Sequence, residues 1–366
     1  MSKAAELASL ASASETALSN RNIVINGAMQ VAQRSASVTG IGASAGYFTL
    51  DRWKITQLSA GRLTMTQTAD GPSGFANCLK LDCTTADASI AAGENLVLQH
   101  KLEGQDLQQL KKGTSDAEQI TVSFYVKANA AFNFGVELFD NDNTRQITKL
   151  FATTTGWVKH SITFPADTTG AFDDDNALSL DLNFWLHAGS TYASGTLNTA
   201  AWASNTNANR AAGIGSFYSS TDNNFFITGI QMEVGPVATP FEHRSYGQEL
   251  LLCQRYFEIH TTLVDFHMLA MAIAISSTQA TFFMPFLVTK RAAPTVTFSA
   301  SGTFTAVTAD GSNAGAATAI AAGTVDIDAM RGVLTVGSGL SSGDASLLQM
   351  LGTQDSAATV KLDAEL

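Results

Sequence analysis

Charged residues are scarce in this sequence. They make up 14% of its 366 residues, whereas about a quarter is usual for a globular protein. Acidic residues outnumber basic ones by 32 to 21, so the formal net charge is −11. The densest basic spot is the pair Lys111 and Lys112, which we expect in a solvated loop. Without a cluster of Lys and Arg, the chain is not expected to bind nucleic acid through its phosphates.

Cysteines and long apolar runs are also scarce. The three cysteines, Cys78, Cys83 and Cys253, form no CxxC pair, which argues against a disulfide framework or a zinc site. The N-terminal residues lack the apolar core of about 7–15 residues that a secretory signal needs, and we expect synthesis in a reducing cytoplasm. Residues 268–275 are the longest apolar candidate. They fall short of the roughly 18 residues that predict a membrane-spanning helix, so no membrane insertion is expected.

Motifs that carry catalysis are missing. The sequence contains no GxSxG, HExxH, P-loop or GxGxxG pattern. Its six histidines are scattered, and no two stand three or four residues apart as a helical metal site would require. We therefore expect a protein that is not an enzyme and that uses no cofactor. A pair of carboxylates for glycoside hydrolysis stays open, because sequence alone does not exclude it.

Two acidic turns are candidates for binding a metal ion. Asp140 and Asp142 lie in the first turn, and Asp173 and Asp175 lie in the second. Their carboxylates could ligate Ca²⁺, although neither turn has the glycine and downstream glutamate of an EF-hand loop. Asp and Asn also favour turns through their own backbone hydrogen bonds. We predict plain turns, with calcium binding as the alternative.

Short segments that alternate between apolar and polar side chains dominate the sequence, and such alternation predicts half-buried strands. These segments are residues 61–68, 120–127, 157–164, 178–186 and 224–234. An apolar run at residues 22–27, which ends in Asn-Gly, predicts a further strand. Helical crossovers are not visible between the segments, so the pattern predicts a mainly β fold with an antiparallel sandwich or jelly roll.

Changes in composition predict four parts of the chain. Residues 1–20 form a helix, residues 21–244 a β-sandwich, residues 245–257 a connecting helix, and residues 258–366 a second β-sandwich. The last part is rich in Gly, Ala, Ser and Thr and has little apolar bulk. It is therefore expected to need several copies around a symmetry axis to bury enough surface.

The N-terminal helix carries a weak heptad pattern. Its apolar seam, with one polar interruption, would be formed by Ala4, Leu7, Ala11, Ser14 and Leu18. A 3-4-3-4 spacing of this kind is typical of helices that pair with partner helices. The segment is predicted to serve in attachment or oligomerisation, and a frayed terminal helix is the alternative, since such short helices are marginal alone.

Aromatic residues in a long polar segment are the candidates for ligand binding. Trp202 and Tyr192 lie within residues 189–214, which are rich in Asn, Ala, Ser and Gly, and Tyr218 follows shortly after. Long loops in compact domains are often functional, and an exposed aromatic ring can stack on the apolar face of a sugar. The alternative is that Trp202 folds back onto the sandwich as a lid.

Several strings in the sequence match one known family in their order along the chain. They are residues 21–34, 51–53, 227–235, 238–242, 253–256, 291–296 and 362–366. With them the chain resembles structural proteins of tailed bacteriophages, a family of tail-fibre and carbohydrate-binding-like virion proteins. The resemblance spans nearly the whole chain.

The resemblance implies a galactose-binding-like jelly roll for the first β-domain, a β-sandwich tip for the second, and a homotrimeric fibre. It transfers no catalytic residues. The leading hypothesis is a virion tail-fibre subunit, made in the host bacterial cytoplasm, that contacts other virion proteins and adheres to glycans of the host surface. The alternatives are a structural decoration protein of the capsid or tail, and a tailspike that depolymerises glycans.

Overall fold

The computed structural model describes Lys3 and residues 20–261, 267–351 and 358–366. The predicted heptad residues Ala4, Leu7, Ala11, Ser14 and Leu18 lie outside the described residues. The chain divides into two compact units. One comprises Met1–Glu249 with Leu366, and the other comprises Leu250–Glu365.

The first unit is built from two antiparallel sheets, and the mainly β prediction is confirmed. One sheet has six strands, in the order β1-β4-β5-β13-β7-β10. These strands are β1 Ser37–Ile41, β4 Arg62–Thr68, β5 Cys78–Thr85, β7 Ile120–Ala128, β10 Val158–Phe164 and β13 Asn224–Val234. The other has seven strands, in the order β12-β9-β8-β11-β6-β3-β2. These are β2 Ala45–Tyr47, β3 Trp53–Leu58, β6 Asn95–Glu103, β8 Asn133–Asp140, β9 Arg145–Ala152, β11 Leu178–Ala188 and β12 Ala203–Ser204.

Strand β7 shows how alternation builds this sandwich. Val122, Phe124 and Val126 are wholly buried in the core between the sheets. Tyr125 and Lys127, which alternate with them, are half-buried on the opposite face. Since successive side chains of a strand point to opposite faces, this single pattern places both the core and the outer surface of the six-stranded sheet.

The predicted strand at residues 22–27 is wrong, because the segment is an irregular buried connection. Asn26 adopts the left-handed conformation, with φ of 58°, and its side-chain oxygen accepts backbone N–H bonds from Gln30 and Val31 at 2.9 and 3.0 Å. The Asn22 side-chain oxygen accepts from the backbone N–H of Val24 at 3.0 Å. Asparagine side chains thus bond backbone N–H groups within the segment and just after it, and the isolated backbone bonds between the segment and β13 form no strand ladder.

The connection at residues 189–223 covers part of the outer face of the seven-stranded sheet. Trp185 points away from the core and packs against Ala211 of the connection. The wholly buried Glu137 of β8 accepts hydrogen bonds from the Arg210 guanidinium and from Trp185 Nε1, each at 2.8 Å. A buried carboxylate needs such partners, so this ion pair ties the connection to the sheet.

Two α-helices and several short 3₁₀ helices accompany the strands among the described residues. The α-helices are α1 Ser190–Ala193 and α2 Tyr246–Gln254. The 3₁₀ helices are Gly104–Asp106, Gln108–Leu110, Asn207–Asn209, Phe217–Ser219 and Ser301–Thr303.

Helix α2 begins with a reciprocal cap. The Gln248 N–H donates to Ser245 Oγ at 3.3 Å, and the Ser245 N–H donates to Gln248 Oε1 at 3.1 Å. The helix ends at Gln254, three residues before the predicted end, because Phe257 already pairs with Asp363 in a sheet.

The second unit also contains two antiparallel sheets. A three-stranded sheet has the order β14-β23-β17, with β14 Phe257–Thr261, β17 Thr295–Phe298 and β23 Thr359–Asp363. A seven-stranded sheet has the order β19-β18-β22-β15-β16-β21-β20. Its strands are β15 His267–Ala274, β16 Gln279–Pro285, β18 Phe304–Thr308, β19 Asn313–Ala316, β20 Ala319–Val325, β21 Ala329–Thr335 and β22 Ala345–Met350.

Strands β15 and β16, together with the residues just after each of them, expose an apolar surface, which we call the apolar strip. Its members are large side chains with 48 to 72% exposure: Met268, Met271, Ile273, Ile275, Phe283 and Leu287. Met271 lies directly opposite Phe283 and also opposite Leu347 of β22. The inward residues of the same strands, including Ala272 and Phe282, are buried. The unit therefore has a core of its own and leaves an apolar face uncovered.

Candidate functional site

A pocket lined by aromatic rings opens on the outer face of the six-stranded sheet. Its residues are Ser73, Gly74, Phe75, Tyr125, Lys159, Ala238, Thr239, Pro240, Phe241 and His243. Phe75 lies at the centre of the rings. Its centroid is 5.4 Å from that of Tyr125, 4.9 Å from Phe241 and 5.2 Å from His243. We call this set the aromatic pocket.

The loop between β4 and β5 supplies Phe75. The Phe75 N–H donates to the Pro72 carbonyl at 2.9 Å and closes a turn. One end of the loop is fixed to the sheet by the ion pair between Asp70 and Lys127, at 2.7 Å. At its other end, Thr228 Oγ1 donates to the Asn77 carbonyl at 2.8 Å. The ring is thus positioned by bonds on both sides of it.

Strand β13 makes room for the rings at Gly229. Its φ is +62°, and the strand pairing with β7 is irregular between Thr228 and Gln231. A Cβ atom at this position would lie 2.7 Å from Phe75 Cζ and 3.0 Å from Tyr125 Cδ2. Only glycine combines this backbone conformation with the space that the two rings occupy.

The segment at residues 235–243 carries Phe241 and His243, and buried polar groups hold it in place. The Glu233 carboxylate accepts from the Thr239 N–H at 2.9 Å and from Thr239 Oγ1 at 2.6 Å. The Gln231 side-chain oxygen accepts from the Glu242 N–H at 2.8 Å. Since Glu233 and Gln231 are almost wholly buried, these bonds are shielded from water and fix the segment against the sheet.

The exposed groups of the pocket combine apolar rings with positive charge. The rings of Phe75, Tyr125 and Phe241 are half-buried, whereas His243 and Lys159 are exposed. The Lys159 ammonium lies 5.7 Å from the centroid of the Tyr125 ring. A flat ligand with an apolar face can stack here while its polar edge meets the Lys159 ammonium.

Trp202 lies elsewhere and is buried in the first unit's core. Its exposure is 7%, and its Nε1–H donates to the Pro165 carbonyl at 2.9 Å. The Lys112 ammonium lies 5.6 Å from the ring centroid. The ring therefore folds back onto the sandwich, as the lid alternative predicts, and is not offered to a ligand. The long polar segment around Trp202 does not indicate this burial.

Tyr218 and Tyr192 are also separate from the aromatic pocket. Tyr218 is wholly buried, its ring 5.3 Å from His187, and burial raises the pKa of its hydroxyl. It therefore presents no surface to a sugar. Tyr192 is half-buried beside the seven-stranded sheet, with its ring 5.2 Å from that of Trp185.

The first acidic turn holds an internal ammonium group. Asp140 is wholly buried, and Lys112 Nζ lies 2.5 Å from its Oδ2 and 3.2 Å from Asp167 Oδ2. Burial alone would raise the pKa of Asp167, but hydrogen bonding from Arg145 and the charge of Lys112 outweigh burial and lower it. Lys112 is thus buried beside the turn, where a solvated loop was expected, and it supplies the positive charge for Asp140 that calcium would have supplied.

The carboxylates of two further candidates for calcium ligands, Asp142 and Asp175, accept backbone hydrogen bonds. Asp142 Oδ2 accepts from the Asp173 N–H at 3.0 Å, and Asp175 Oδ1 accepts from the Ala177 N–H at 2.9 Å. Asp173 and Asp175 are exposed. The geometry is that of the plain turns predicted for Asp-rich segments.

The sequence reasoning missed the pocket residues, although one signal was present. In the alternating segment of β7, Tyr125 stands among the polar positions, so its outward direction is readable from the pattern. Phe75 and Phe241 carry no such signal, because they lie in irregular segments far from β7 along the chain.

Within the part of the chain that the structure describes, no helix is long and apolar enough to cross a membrane.

No protein-family model and no curated protein matches the sequence. Some solved structures resemble the chain. One described as "CBM4 structure and function" has a TM-score of 0.31 at 9% identity, over 58% of this chain and 99% of that chain. The enzymatically active domain of bacteriophage CBA120 tailspike protein 4 has a TM-score of 0.32 at 11% identity, over 58% of this chain and 21% of that chain. The CBM22-1 xylan-binding domain from Paenibacillus barcinonensis Xyn10C has a TM-score of 0.27 at 14% identity, over 55% and 94%. TM-scores of this size carry no argument about function.

Proposed function

We propose that this chain is a virion fibre subunit of a tailed bacteriophage that adheres to host-surface glycans without cleaving them. The observation that carries the proposal is the aromatic pocket, in which Phe75, Tyr125 and Phe241 hold half-buried rings beside the exposed Lys159. The proposed location in a virion is supported by the sequence strings that resemble structural proteins of tailed bacteriophages.

Ring stacking and hydrogen bonding are the two contacts that bind a sugar. An aromatic ring has a negative face that attracts the slightly positive C–H groups of a pyranose. Lys159 and the Tyr125 hydroxyl can bond hydroxyl or carboxylate groups at the sugar's edge. Binding pockets typically combine apolar walls with a few polar groups in this way.

The chemistry of the pocket supports adhesion over cleavage. Glycoside hydrolysis generally needs two carboxyl groups flanking the scissile bond, and the described residues that line the pocket include no Asp or Glu. The buried Glu137 on the other sheet is engaged by Arg210 and Trp185. A depolymerase would therefore need a site other than these.

The apolar strip of the second unit supports the homotrimer that the resemblance implies. Soluble monomers rarely leave a continuous apolar patch uncovered, and identical copies around an axis would cover each other's strips. A decoration protein of the capsid or tail would bury the same strip against a different virion protein, and this is the alternative function.

A glycan array with purified full-length chain tests the adhesion. We expect Tyr125→Ala and Phe241→Ala each to weaken binding about tenfold, since one aromatic contact contributes up to about 1.5 kcal/mol. Tyr192→Ala is the matched control, because its half-buried ring lies by the opposite sheet. Unchanged binding by both pocket variants would overturn the assignment of the pocket.

Two further measurements separate the alternatives. Shortened products after incubation with host polysaccharide would identify a depolymerase. Antibody labelling of phage particles in the electron microscope is expected to mark the fibre, whereas labelling over the capsid or along the tail tube would favour decoration.

A further inference from the structure

Three side chains with metal-binding atoms meet at one end of the first sandwich, apart from the aromatic pocket. They are Asp87 and Glu94 of the connection between β5 and β6, and His187 near the end of β11. One ligand atom from each lies within 4.8 Å of the others. Asp87 is 6% exposed and His187 is wholly buried. The fold thus brings together three possible metal ligands, although the spacing of the histidines in the sequence did not indicate a metal site.

The His187 ring has one hydrogen-bonded nitrogen and one that makes no hydrogen bond to any described residue. Its Nδ1 lies 2.8 Å from Ser216 Oγ. Its Nε2 is buried, has no hydrogen-bond partner among the described residues, and faces Glu94 Oε2 at 3.5 Å. That distance exceeds the range of a protein hydrogen bond. A buried polar atom without a partner requires an explanation.

A cation between these groups supplies the explanation. When Nδ1–H donates to Ser216, Nε2 carries a lone pair that faces the carboxylates of Glu94 and Asp87. The lone pair and the negatively charged carboxylate oxygens then repel each other. A metal ion accepts all three lone pairs and turns the repulsion into coordination. In known sites the second ring nitrogen of a ligating histidine is bonded in the way that Ser216 bonds Nδ1 here.

We propose that Asp87, Glu94 and His187 bind a divalent transition-metal ion, with Zn²⁺ the preferred ion. One imidazole and two carboxylates form a mixed nitrogen and oxygen set that suits Zn²⁺ better than Ca²⁺ or Mg²⁺, which prefer oxygen alone. Three protein ligands leave a fourth tetrahedral position for water.

Surrounding bonds already hold the Asp87 carboxylate. Its Oδ2 accepts from Ser59 Oγ at 2.8 Å and from the Ala60 N–H at 3.1 Å, and its Oδ1 accepts from the Ser89 N–H at 3.2 Å. These partners orient the carboxylate toward the other two ligands. The ion would fasten the connection between β5 and β6 to the end of β11, and it would therefore act as a structural ion.

Calorimetric titration of the full chain, first stripped with EDTA, tests the site. We expect one Zn²⁺ per chain, with much weaker binding of Mg²⁺ and Ca²⁺. His187→Gln and Glu94→Gln are each expected to lower the affinity for Zn²⁺ at least about tenfold. His160→Gln is the matched control, because the ring of His160 bonds the Ala152 carbonyl and no carboxylate.

Thermal unfolding provides a second readout. Saturating Zn²⁺ is expected to raise the melting temperature of the unsubstituted chain by roughly 5 °C or more, and that of the Glu94→Gln variant much less. Glu94 is half-buried, so this variant keeps the proposal testable if His187→Gln does not fold. Absence of Zn²⁺ binding, or binding that neither substitution changes, would overturn the site.

Discussion

The ring centroid of Phe75 lies 5.4 Å from that of Tyr125, and both rings stand over Gly229. The conformations of three elements therefore depend on one another here: the loop between β4 and β5, strand β7, and the irregularity of β13 at Gly229. The rings can be offered to a ligand only while the loop, the strand and the glycine all keep their conformation.

Replacement of Gly229 by alanine tests this dependence. The new Cβ would meet Phe75 Cζ at 2.7 Å, at a φ of +62°, and a left-handed non-glycine residue alone costs roughly 1–2 kcal/mol. We expect urea unfolding to show a loss of at least that size, together with loss of glycan binding. Gly247→Ala is the control, since a Cβ there meets nothing within 4 Å and alanine favours a helix. Unchanged stability and binding in Gly229→Ala would contradict this reading of the pocket.

The exposed Lys159 predicts a preference among glycans. We expect Lys159→Ala to weaken binding of sugars that carry a carboxylate, because the variant loses the attraction between the ammonium and that carboxylate. Binding of neutral sugars should change little. No acidic group among the pocket's lining residues opposes the attraction. The same preference should fall as salt is raised, since exposed charges are screened. Lys54→Ala, on a strand of the opposite sheet, serves as control in the array. Equal loss for neutral and acidic sugars would argue against a charge contact.

Neighbouring lysines should differ sharply in their effect on stability. Lys112→Met leaves the buried Asp140 and Asp167 without their shared ammonium, and an uncompensated buried charge typically costs about 3–5 kcal/mol. Lys111→Met removes only an exposed pair with Glu118, and we expect little measurable change. Urea unfolding at pH 7 checks both. Similar effects of the two substitutions would mean that Lys112 is not the internal cation of the first acidic turn.

The second unit contains a buried acidic group whose effect depends on pH. Burial alone would raise the pKa of Glu258, but hydrogen bonds from His260 and Lys290 outweigh burial and lower it. A carboxyl group with a lowered folded pKa stabilises the fold above its unfolded pKa of about 4.3, and loses that effect as pH falls toward the folded value.

We therefore expect Glu258→Gln to destabilise the protein most at neutral pH. The difference in melting temperature from the unsubstituted chain should shrink steadily below about pH 4. Thermal unfolding between pH 7 and pH 3 measures it, with Asp328→Asn, at an exposed carboxylate of the second unit, as the control. A difference that stays constant over this range would show that Glu258 is not charged in the folded protein.

The apolar strip predicts how self-association can be broken. Met271 and Phe283 lie opposite each other and are 72% and 60% exposed, so Met271→Asp places a charge at the centre of any interface there. We expect sedimentation velocity to show trimers for the unsubstituted chain and monomers for this variant. Val237→Asp, at a 70% exposed valine of the first unit, should leave the trimer intact. A Met271→Asp trimer would exclude the strip as the interface.

Much of the fold was readable from local patterns. The segments at residues 61–68, 120–127 and 224–234 correspond to β4, β7 and β13 within a residue or so, because alternation of apolar and polar side chains directly expresses a strand with one buried face. The same pattern marks Tyr125 as outward-facing. It failed at residues 22–27, where asparagine side chains bond the local backbone and isolated bonds to β13 form no strand ladder.

The sequence by itself determined that the chain is mainly β, acidic and without recognisable catalytic motifs, since these properties depend on composition and on neighbouring residues. Only the tertiary structure decided which residues meet. Strand order and register bring Phe75 to Tyr125 and Phe241, Lys112 to Asp140, and His187 to Asp87 and Glu94. Each of these contacts joins segments far apart along the chain, and no local periodicity records a contact that depends on how distant strands pair.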